Sequence, residues 1–346
     1  MNKRNSAYAR AGVDIEAANQ TKKSIAELVR TTFGPQVIGS AGGFGGLFRP
    51  DLSPYKDPVL VSSVDSVGTK LKIAFASGFH NTVGRDMVFH CANDILVQGA
   101  RPLFFLDYLA MGSHAPEVAT AVVEGLASGC RTLDCALIGG ETAELPDMYQ
   151  PGEYDLAGTI VGMVDRSRLL DGQAIAAGDR IIGLGSDGLH TNGYSLARRV
   201  IFEQAGLALD DPLGATGRTV VEELLRVHRP YVTPVLALSE QVPIKGMVHI
   251  TGGGLWDNIP RVLPPRLSAQ LVGGAWEIPP VFHFIEEAGQ IESREMYHVF
   301  NMGLGLLLFV GPDQAEQAVE QLRAAGERAW LVGEVVVGDD PVLFDI

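Results

Sequence analysis

Residues 59–73 read VLVSSVDSVGTKLKI, and this stretch decides how the N-terminal half of the chain is interpreted. A β-branched apolar run predicts a strand over Val59–Val64 that leads into Asp65. Gly68 breaks the run, Lys70 follows the carboxylate by five residues, and an apolar segment then indicates a helix. Oxygen ligands suit Mg²⁺, and backbone N–H groups at a glycine turn suit phosphate. The spacing is not that of a P-loop, so the stretch indicates either a metal-and-phosphate site or a strand end with an exposed acid and lysine.

The composition is that of a globular protein with an acidic balance of charge. The chain has 346 residues, enough for two domains, with 46% hydrophobic and 20% charged residues. Its net charge of −14 argues against nucleic acid and membrane surfaces as partners, because both attract basic patches. The 41 glycines indicate several turns that a ligand approaches closely.

The cysteines and the N-terminal segment indicate a cytoplasmic protein. Cys91, Cys130 and Cys135 form no C-x-x-C pair and are odd in number, so neither a disulfide framework nor a zinc site is expected. Residues 1–14 contain no apolar core of a secretory signal, and the apolar run near Leu304–Val310 is too short to span a bilayer. We therefore expect a reduced, cytoplasmic environment.

A change of composition at residues 169–179, LLDGQAIAAGD, indicates a domain boundary. It divides the chain into an N-terminal domain, 1–168, and a C-terminal domain, 169–346. Strand and helix patterns alternate in both halves, which indicates an α/β or α+β fold. In the first half the patterns predict helices over 14–33 (capped by Asp14), 85–98 and 116–131, and strands over 59–64, 103–109, 136–138 and 156–164. In the second half they predict strands over 180–184, 247–250, 268–272, 305–310 and 330–336, and helices over 193–205, 220–225, 231–239 and 312–325.

Residues 40–48, SAGGFGGLF, contain four glycines around two phenylalanines. A stretch so rich in glycine forms neither a stable helix nor a central strand. We expect a flexible loop that could close as a lid.

Asp94 lies in the helix predicted over 85–98, beside an apolar stripe. A carboxylate in such a place is costly unless it is paired or ligates a metal. The alternative is an exposed acid on the wet side of the helix, together with Asp86 and His90.

Two more carboxylates belong to apolar strands or their ends. Asp107 lies within FFLDYLA and is either a ligand or a buried hydrogen-bond anchor. Glu141 follows the strand predicted over 136–138 and two glycines, which is where ligands gather in α/β sheets. Glu144 is a nearby alternative, and a turn with exposed acids is the other interpretation.

Two glycine-rich turns stand in the second half, GLGSDGLHTNGYS over 183–195 and HITGGGLWDNIPR over 249–261. His190 could transfer protons at neutral pH, and the polar groups beside it could hold a phosphate. The alternative is ordinary helix capping by Thr191 or Asn192. The glycine triplet of the second turn allows the backbone to approach an anion.

Taken together, the acids, the lysine and the glycine-rich turns indicate a Mg-nucleotide and a phosphorylated substrate. A nucleophile elbow is not indicated, because the sequence has no G-x-S-x-G.

Eight segments together resemble the aminoimidazole ribonucleotide (AIR) synthetase family of purine biosynthesis. They run from Tyr8 to about Gly305 and are YARAGVDIEAAN, GGFGGLF, VDSVGTKL, NDILVQGARPLFFLDYLA, GGETAELPDMY, GLHTNGYS, TGGGLWDNIPR and EMYHVFNMGLG. Each segment alone is a weak signal, but the ordered set is specific and covers nearly the whole chain.

The resemblance implies a two-domain AIR-synthetase-like fold and a homodimer. In that family the N-terminal sheets pair into a barrel-like dimer core, and the C-terminal domain is α/β. The implied reaction is that of a ligase: ATP activates the formyl amide oxygen of formylglycinamidine ribonucleotide (FGAM), and the amidine nitrogen closes the ring to give AIR, ADP and phosphate. FGAM and ATP are then the substrates and Mg²⁺ the cofactor, with no nucleic acid or membrane partner.

The resemblance also assigns site residues by position. It assigns Mg²⁺ to Asp65, Asp94 and Glu141, phosphate neutralisation to Lys70, and proton transfer at the amidine to His190, so that the catalytic set is Lys70, Asp94 and His190. The ATP-binding set comprises Gly42, Gly43, Gly45, Gly46, Asp65, Gly68, Thr69, Lys70, Asp107, Gly140 and Glu141. The FGAM-binding set comprises His190, Thr191, Asn192, Ser195, Thr251, Gly252, Gly253 and Gly254.

Other interpretations stay open. Thiamine-monophosphate kinase belongs to the same superfamily, but it is not expected to carry GGETAELPDMY or TGGGLWDNIPR. A non-catalytic nucleotide-binding dimer module is a rival of another class, and the retained acids, lysine and histidine argue against it. One position departs from the family pattern: Ser66 replaces the usual glycine after Asp65, and it would be strained only if its φ were positive.

Overall fold

The structure, a computed structural model, has a mixed α/β fold, which confirms the predicted class. It describes residues 15–113 and 115–344, with side chains from residue 22 onward. The predicted cap at Asp14 lies outside the described residues. Two compact units divide the chain: unit 1 comprises residues 1–92 and 102–163, and unit 2 comprises residues 93–101 and 164–346.

Unit 1 is built around a four-stranded sheet. Its described elements, some of which end in residues assigned to unit 2, are α1 (Ile15–Arg30), β1 (Val37–Ile38), β2 (Leu47–Phe48), β3 (Pro58–Ser66), α2 (Leu71–Ser77), α3 (Asn81–Leu96), β4 (Arg101–Met111), α4 (Pro116–Thr132), β5 (Ala136–Glu144) and β6 (Tyr154–Asp165). The strand order is β3-β6-β4-β5, and β4 and β5 run parallel. A 3₁₀ turn, Gly68–Lys70, joins β3 to α2.

Two helical glycines explain how α3 and α4 pack so closely. A Cβ on Gly84 would stand 2.2 Å from the carbonyl oxygen of Val122, and one on Gly125 would stand 2.1 Å from that of Asn81. Glycine costs helix stability, so its presence at both crossing points fits a requirement for close backbone approach. The contact fixes α3, the helix that carries Asp86 and His90.

The edge strand β3 leaves apolar side chains exposed. Leu60 is 64% exposed and Val64 is 69% exposed. None of the three sheets in the described part of the chain closes on itself.

Unit 2 is built around a six-stranded sheet in the order β12-β9-β11-β7-β10-β8. Its elements are β7 (Arg180–Gly185), α5 (Tyr194–Arg198), α6 (Val220–Leu224), α7 (Val232–Ser239), β8 (Ile244–His249), α8 (Gly254–Asn258), β9 (Leu267–Leu271), α9 (Pro280–Gly289), α10 (Ser293–Val299), β10 (Leu304–Val310), α11 (Ala315–Ala324), β11 (Ala329–Val337) and β12 (Val342–Phe344). Neighbouring strands are antiparallel except β12 and β9. The apolar run LGLLLFV forms β10, which is buried at every position.

The predicted helices and strands all have counterparts, with boundary changes. The helix predicted over 193–205 is the short α5 followed by a π-helical segment, Arg199–Gln204. The strand predicted to end at Ile138 continues to Glu144, because β5 stays paired with β4 beyond its two glycines. The elements β1, β2, α8, α9, α10 and β12 have no counterpart among the predictions. No described helix combines the length and the apolar character needed to cross a membrane.

Candidate functional site

A histidine–carboxylate contact and a lysine–carboxylate ion pair join the VDSVGTK stretch to one face of α3. Nε2 of His90 lies 2.7 Å from Oδ2 of Asp65. Nζ of Lys70 lies 2.8 Å from Oδ2 of Asp86. Asp86 and His90 are four residues apart on the helix, so they project from the same face. The predicted acid and the predicted lysine are therefore each held by a partner from one helix.

Asp65 and Lys70 differ in their exposure to solvent. The Asp65 side chain is 40% exposed, whereas the side chains of Lys70 and Asp86 are both 0% exposed. The alternative that placed Asp86 and His90 on an exposed helix face is wrong, because both are buried. Sequence reasoning therefore missed both of these partners.

The turn after β3 shows why one glycine of the family pattern is needed and the other is not. Gly68 has φ +68°, a conformation in which a side chain is strained. Ser66 is not among the described non-glycine residues with positive φ, so serine is unstrained there, and its N–H donates to Oδ1 of Asp65 at 2.6 Å. Gly68 and Thr69 are exposed at the turn, and Lys70 is buried behind them.

A second acidic pair lies on β4 and β5. Asp107 is the cross-strand neighbour of Gly140, and Tyr108 is that of Glu141. Burial, with a smaller contribution from the negative charge of Glu141, raises the pKa of Asp107 from 3.8 to about 7. The expectation that Glu141 stands just past a strand end is wrong: it lies within β5, with its side chain exposed.

The donor chemistry of unit 1 fits a hard divalent cation. Asp65 and Glu141 both present carboxylates that solvent reaches. Carboxylate oxygens are the ligands that Mg²⁺ and Ca²⁺ prefer. The predicted assignment of these two acids to Mg²⁺ is therefore chemically reasonable and stays a prediction.

The glycine-rich stretch forms the loop of a two-stranded hairpin. Val37–Ile38 pair with Leu47–Phe48, and the residues between them form turns and bends, so the prediction that no helix or central strand forms there is confirmed. A Cβ on Gly42 or Gly45 would meet nothing within 4 Å, whereas one on Gly46 would stand 2.8 Å from Ile138. The loop therefore has room at its tip, where Gly43 also lies, and packs against β5 at its base.

In unit 2, Asp94 heads a chain of histidines. Its Oδ1 lies 2.8 Å from Nδ1 of His249, and Nε2 of His249 lies 3.1 Å from Nε2 of His228. The ring of His190 stacks on that of His228, with the centroids 3.9 Å apart. The predicted metal ligand Asp94 and the predicted base His190 thus lie at opposite ends of one imidazole cluster.

The position of His190 suits a structural link better than direct contact with a substrate. Its side chain is fully buried and its φ is +60°. The backbone N–H of Asp187 donates to Nε2 of His190 at 3.0 Å. Three arginines hold the Asp187 carboxylate within 3.2 Å, namely Arg226, Arg229 and Arg328. Proton transfer by His190 stays a prediction, and this burial counts against it.

The histidines do not form a convincing metal site, although their ring nitrogens lie within 4.8 Å of one another. A ring nitrogen that accepts a backbone hydrogen bond has no lone pair left for a metal, and Nε2 of His190 is such a nitrogen. If neutral, that ring carries its proton on Nδ1, so neither of its nitrogens suits a metal in this arrangement.

The turn before α5 does not use a side-chain cap. Gly193 occupies the cap position and no side-chain hydrogen bond caps the helix, so the alternative role of Thr191 or Asn192 as helix cap is wrong. Nδ2 of Asn192 is a buried atom without a hydrogen-bond partner among the described residues. Ser195 is exposed and Thr191 is half-buried. A buried donor without a partner is costly, so a ligand that accepted a hydrogen bond from Asn192 would offset this cost.

The glycine triplet forms a turn that is hydrogen-bonded to Asn258, a residue that sequence reasoning missed. Nδ2 of Asn258 lies within 3.3 Å of the carbonyl oxygens of Thr251, Gly252 and Gly254. Gly253 has φ +90° and Gly254 has φ +57°. The Asn258 amide therefore orients these three carbonyl groups towards itself and stabilises the conformation of the predicted substrate turn.

Comparison with known families matches both halves of the chain. The N-terminal domain of the family described as AIR synthase related protein matches residues 51–164, and its C-terminal domain matches residues 176–346. The chain belongs to this family.

The chain is similar over nearly its full length to proteins named phosphoribosylformylglycinamidine cyclo-ligase. It is 52% identical to the protein of Trichlorobacter lovleyi over 335 residues, which covers 97% of this chain and 96% of the relative. It is 52% identical to that of Geobacillus kaustophilus over 332 residues, with 96% of each chain covered.

Two solved structures share the fold at low identity. Thiamine-monophosphate kinase from Stenotrophomonas maltophilia has a TM-score of 0.69 at 19% identity, covering 93% of this chain and 96% of its own. The hydrogenase maturation protein HypE in complex with ATP has a TM-score of 0.69 at 18% identity, covering 97% of this chain and 93% of its own. At such identity the likeness concerns the fold alone.

Proposed function

We propose that this protein is an FGAM cyclo-ligase of purine biosynthesis that converts FGAM and ATP into AIR, ADP and phosphate. The observation that carries the proposal is the 52% identity, over nearly the full chain, to relatives that bear the name of this activity. A likeness of the fold alone would not separate this activity from that of a kinase.

The chemistry requires a good leaving group at an amide carbon. The γ-phosphoryl group of ATP is transferred to the formyl amide oxygen of FGAM, the amidine nitrogen attacks that carbon, and phosphate leaves as the ring closes. Phosphoryl transfer depends mainly on positioning and on neutralising charge. Mg²⁺ would supply charge neutralisation at the triphosphate when bound. Asp65 and Glu141 would hold it, and Asp94 is proposed as a further ligand.

Unit 1 is proposed as the ATP-binding and dimerisation domain. Lys70 and the exposed turn at Gly68 and Thr69 would face the phosphates, Asp107 and Gly140 would line the site, and the hairpin loop would exclude water during the reaction. Exposed apolar residues on the edge strand β3 support pairing with a second copy, because a bare apolar edge invites a further strand. A homodimer with a barrel-like core of paired N-terminal sheets is the proposed arrangement.

Unit 2, which includes all of the predicted C-terminal domain over 169–346, is proposed as the FGAM-binding domain. The Asn192 amide and the Thr251–Gly254 turn would contact the substrate and its ribose phosphate. Backbone N–H groups at glycine turns bind phosphate without needing a basic side chain, which suits a chain of net charge −14. The enzyme is proposed to work in the cytoplasm.

A substrate comparison tests the proposal against its rivals. Purified protein with ATP and Mg²⁺ is offered FGAM or thiamine monophosphate in parallel, and ADP is measured for each. We expect ADP and AIR with FGAM only. ADP formed only with thiamine monophosphate would assign a kinase, and ATP binding with no turnover of either would assign a non-catalytic module.

A further inference from the structure

Lys70 is enclosed together with the carboxylate of Asp86, at an ion-pair distance of 2.8 Å. Both side chains are 0% exposed. A buried ammonium without a negative partner is costly and tends to lose its proton. The nearby carboxylate of Asp86 therefore stabilises the charged form of Lys70.

Asp86 holds this place because of the helix that carries it. Gly84, two residues earlier, lets α3 lie against α4 at a backbone separation that a Cβ would forbid. His90, one turn later on the same face, lies 2.7 Å from Asp65. The same helix face therefore sets the positions of both Asp65 and Lys70.

The pair lies directly behind an exposed turn. Gly68 and Thr69 are open to solvent, and Lys70 is the third residue of the same 3₁₀ turn. A positive charge buried behind a turn acts more strongly on an anion there than one surrounded by water, because less water screens it. The position of the ammonium group sets the strength and the direction of its attraction for that anion.

We propose that Asp86 is a positioning residue for Lys70: it keeps the ammonium charged and fixes it behind the Gly68–Thr69 turn, where ATP phosphates are neutralised. The inference rests on the proposed function for its substrate. It assigns a role to a residue that makes no contact with substrate itself, and it predicts that Asp86 acts on ATP through Lys70 alone.

A double-mutant cycle on ATP binding tests this role. The variants are Asp86→Asn, Lys70→Met and the two combined, and ATP affinity is measured by calorimetry without FGAM. We expect Asp86→Asn to weaken ATP binding by about tenfold or more. We expect the double variant to match Lys70→Met within about twofold, because Asp86 has nothing left to position.

Two control variants accompany the double-mutant cycle. Asp86→Glu keeps the carboxylate and should recover part of the affinity, and it decides the outcome if Asp86→Asn gives no folded protein. Asp179→Asn disrupts a Lys–Asp pair in unit 2, where Asp179 lies 2.6 Å from Lys245, and should leave ATP affinity unchanged.

The outcomes distinguish this inference from the proposed function. Folded Asp86→Asn that binds ATP as tightly as the wild type, or effects of the two substitutions that multiply, would overturn the positioning role. A wild-type protein that binds ATP but makes no AIR would overturn the proposed function while leaving the cycle on ATP affinity readable.

Discussion

The carboxylate of Asp107 lies so close to Gly140 that a Cβ on this glycine would stand 2.2 Å from Oδ1 of Asp107. The two residues are direct neighbours across β4 and β5. No side chain fits at residue 140 unless both this carboxylate and the backbone carbonyl oxygen of Asp107, 2.6 Å from the same Cβ, move. The glycine of GGETAELPDMY is therefore required by the acid on the adjacent strand.

Substitution of Gly140 by alanine should displace this carboxylate. We expect Gly140→Ala to lower stability by about 1–3 kcal/mol, the range for overpacking, and to weaken ATP binding. The measurement is thermal unfolding together with ATP titration. Gly139→Ala is the matched control, because its Cβ would meet Leu106 at an ordinary 3.5 Å. Equal unfolding temperatures for the two variants would contradict the required role of Gly140.

The raised pKa of Asp107, about 7, predicts a specific pH dependence of stability. The folded protein keeps this carboxyl protonated up to about pH 7, whereas the unfolded chain releases the proton near 3.8. The stability associated with the protonated form is therefore complete below pH 3.8 and is lost as the pH rises through 7. Between pH 5 and pH 8 the unfolding temperature of the wild type should fall more than that of Asp107→Asn.

Glu124→Gln, on the exposed side of α4, is the control for this pH series. It should follow the wild type at each pH. Parallel curves for wild type and Asp107→Asn, measured without ATP or divalent cations, would show that Asp107 is not the group responsible.

Much of the fold follows from local pattern. The run LGLLLFV predicts a buried strand because each of its side chains is apolar or absent, and β10 is buried throughout. The GTK turn follows equally well, since only glycine adopts φ +68° without strain. The short helix α8 was not predicted, because its five residues begin at a glycine and follow two others. The strand β5 continues past Ile138 to Glu144 because it pairs with β4. A local sequence pattern contains no information about such pairing.

Less of the site than of the fold can be predicted from the sequence. The residues that contact one another in the site are far apart in the chain. Asp86 and His90 are spaced four residues apart on a predicted helix, which places them on one face, but nothing local shows that they meet Lys70 and Asp65. His190 shows the converse problem. Its glycine-rich surroundings suggest an exposed turn, yet stacking on His228 and a hydrogen bond from Asp187 bury it.

The glycine triplet offers a test that separates folding from substrate contact. A Cβ on Gly254 would stand 1.9 Å from the carbonyl oxygen of Tyr297, whereas one on Gly252 would lie 3.5 Å from Asn192. We expect Gly254→Ala to lower the unfolding temperature strongly. We expect Gly252→Ala to fold normally and to raise the KM for FGAM, because the added methyl group obstructs approach to the backbone. An unchanged KM in Gly252→Ala would remove this turn from the substrate site.

Asp94 has two possible roles, to ligate Mg²⁺ or to hold His249. A pair of variants distinguishes between them. If it ligates Mg²⁺, Asp94→Asn should lower turnover sharply and raise the Mg²⁺ concentration needed for half the maximal rate, whereas His249→Gln should leave that concentration unchanged. The readout is the rate of AIR formation across a Mg²⁺ titration. The same loss in both variants, with no shift in Mg²⁺ dependence, would show that Asp94 serves only to hold His249, 2.8 Å away.

The most direct test follows the formyl oxygen of FGAM. FGAM labelled with ¹⁸O at this oxygen is converted with ATP and Mg²⁺, and the released phosphate is analysed by mass spectrometry. Transfer of the phosphoryl group to the amide oxygen predicts one labelled oxygen in each phosphate, with AIR and ADP formed in equal amounts. Unlabelled phosphate, or ADP formed without AIR by the folded protein, would contradict the account.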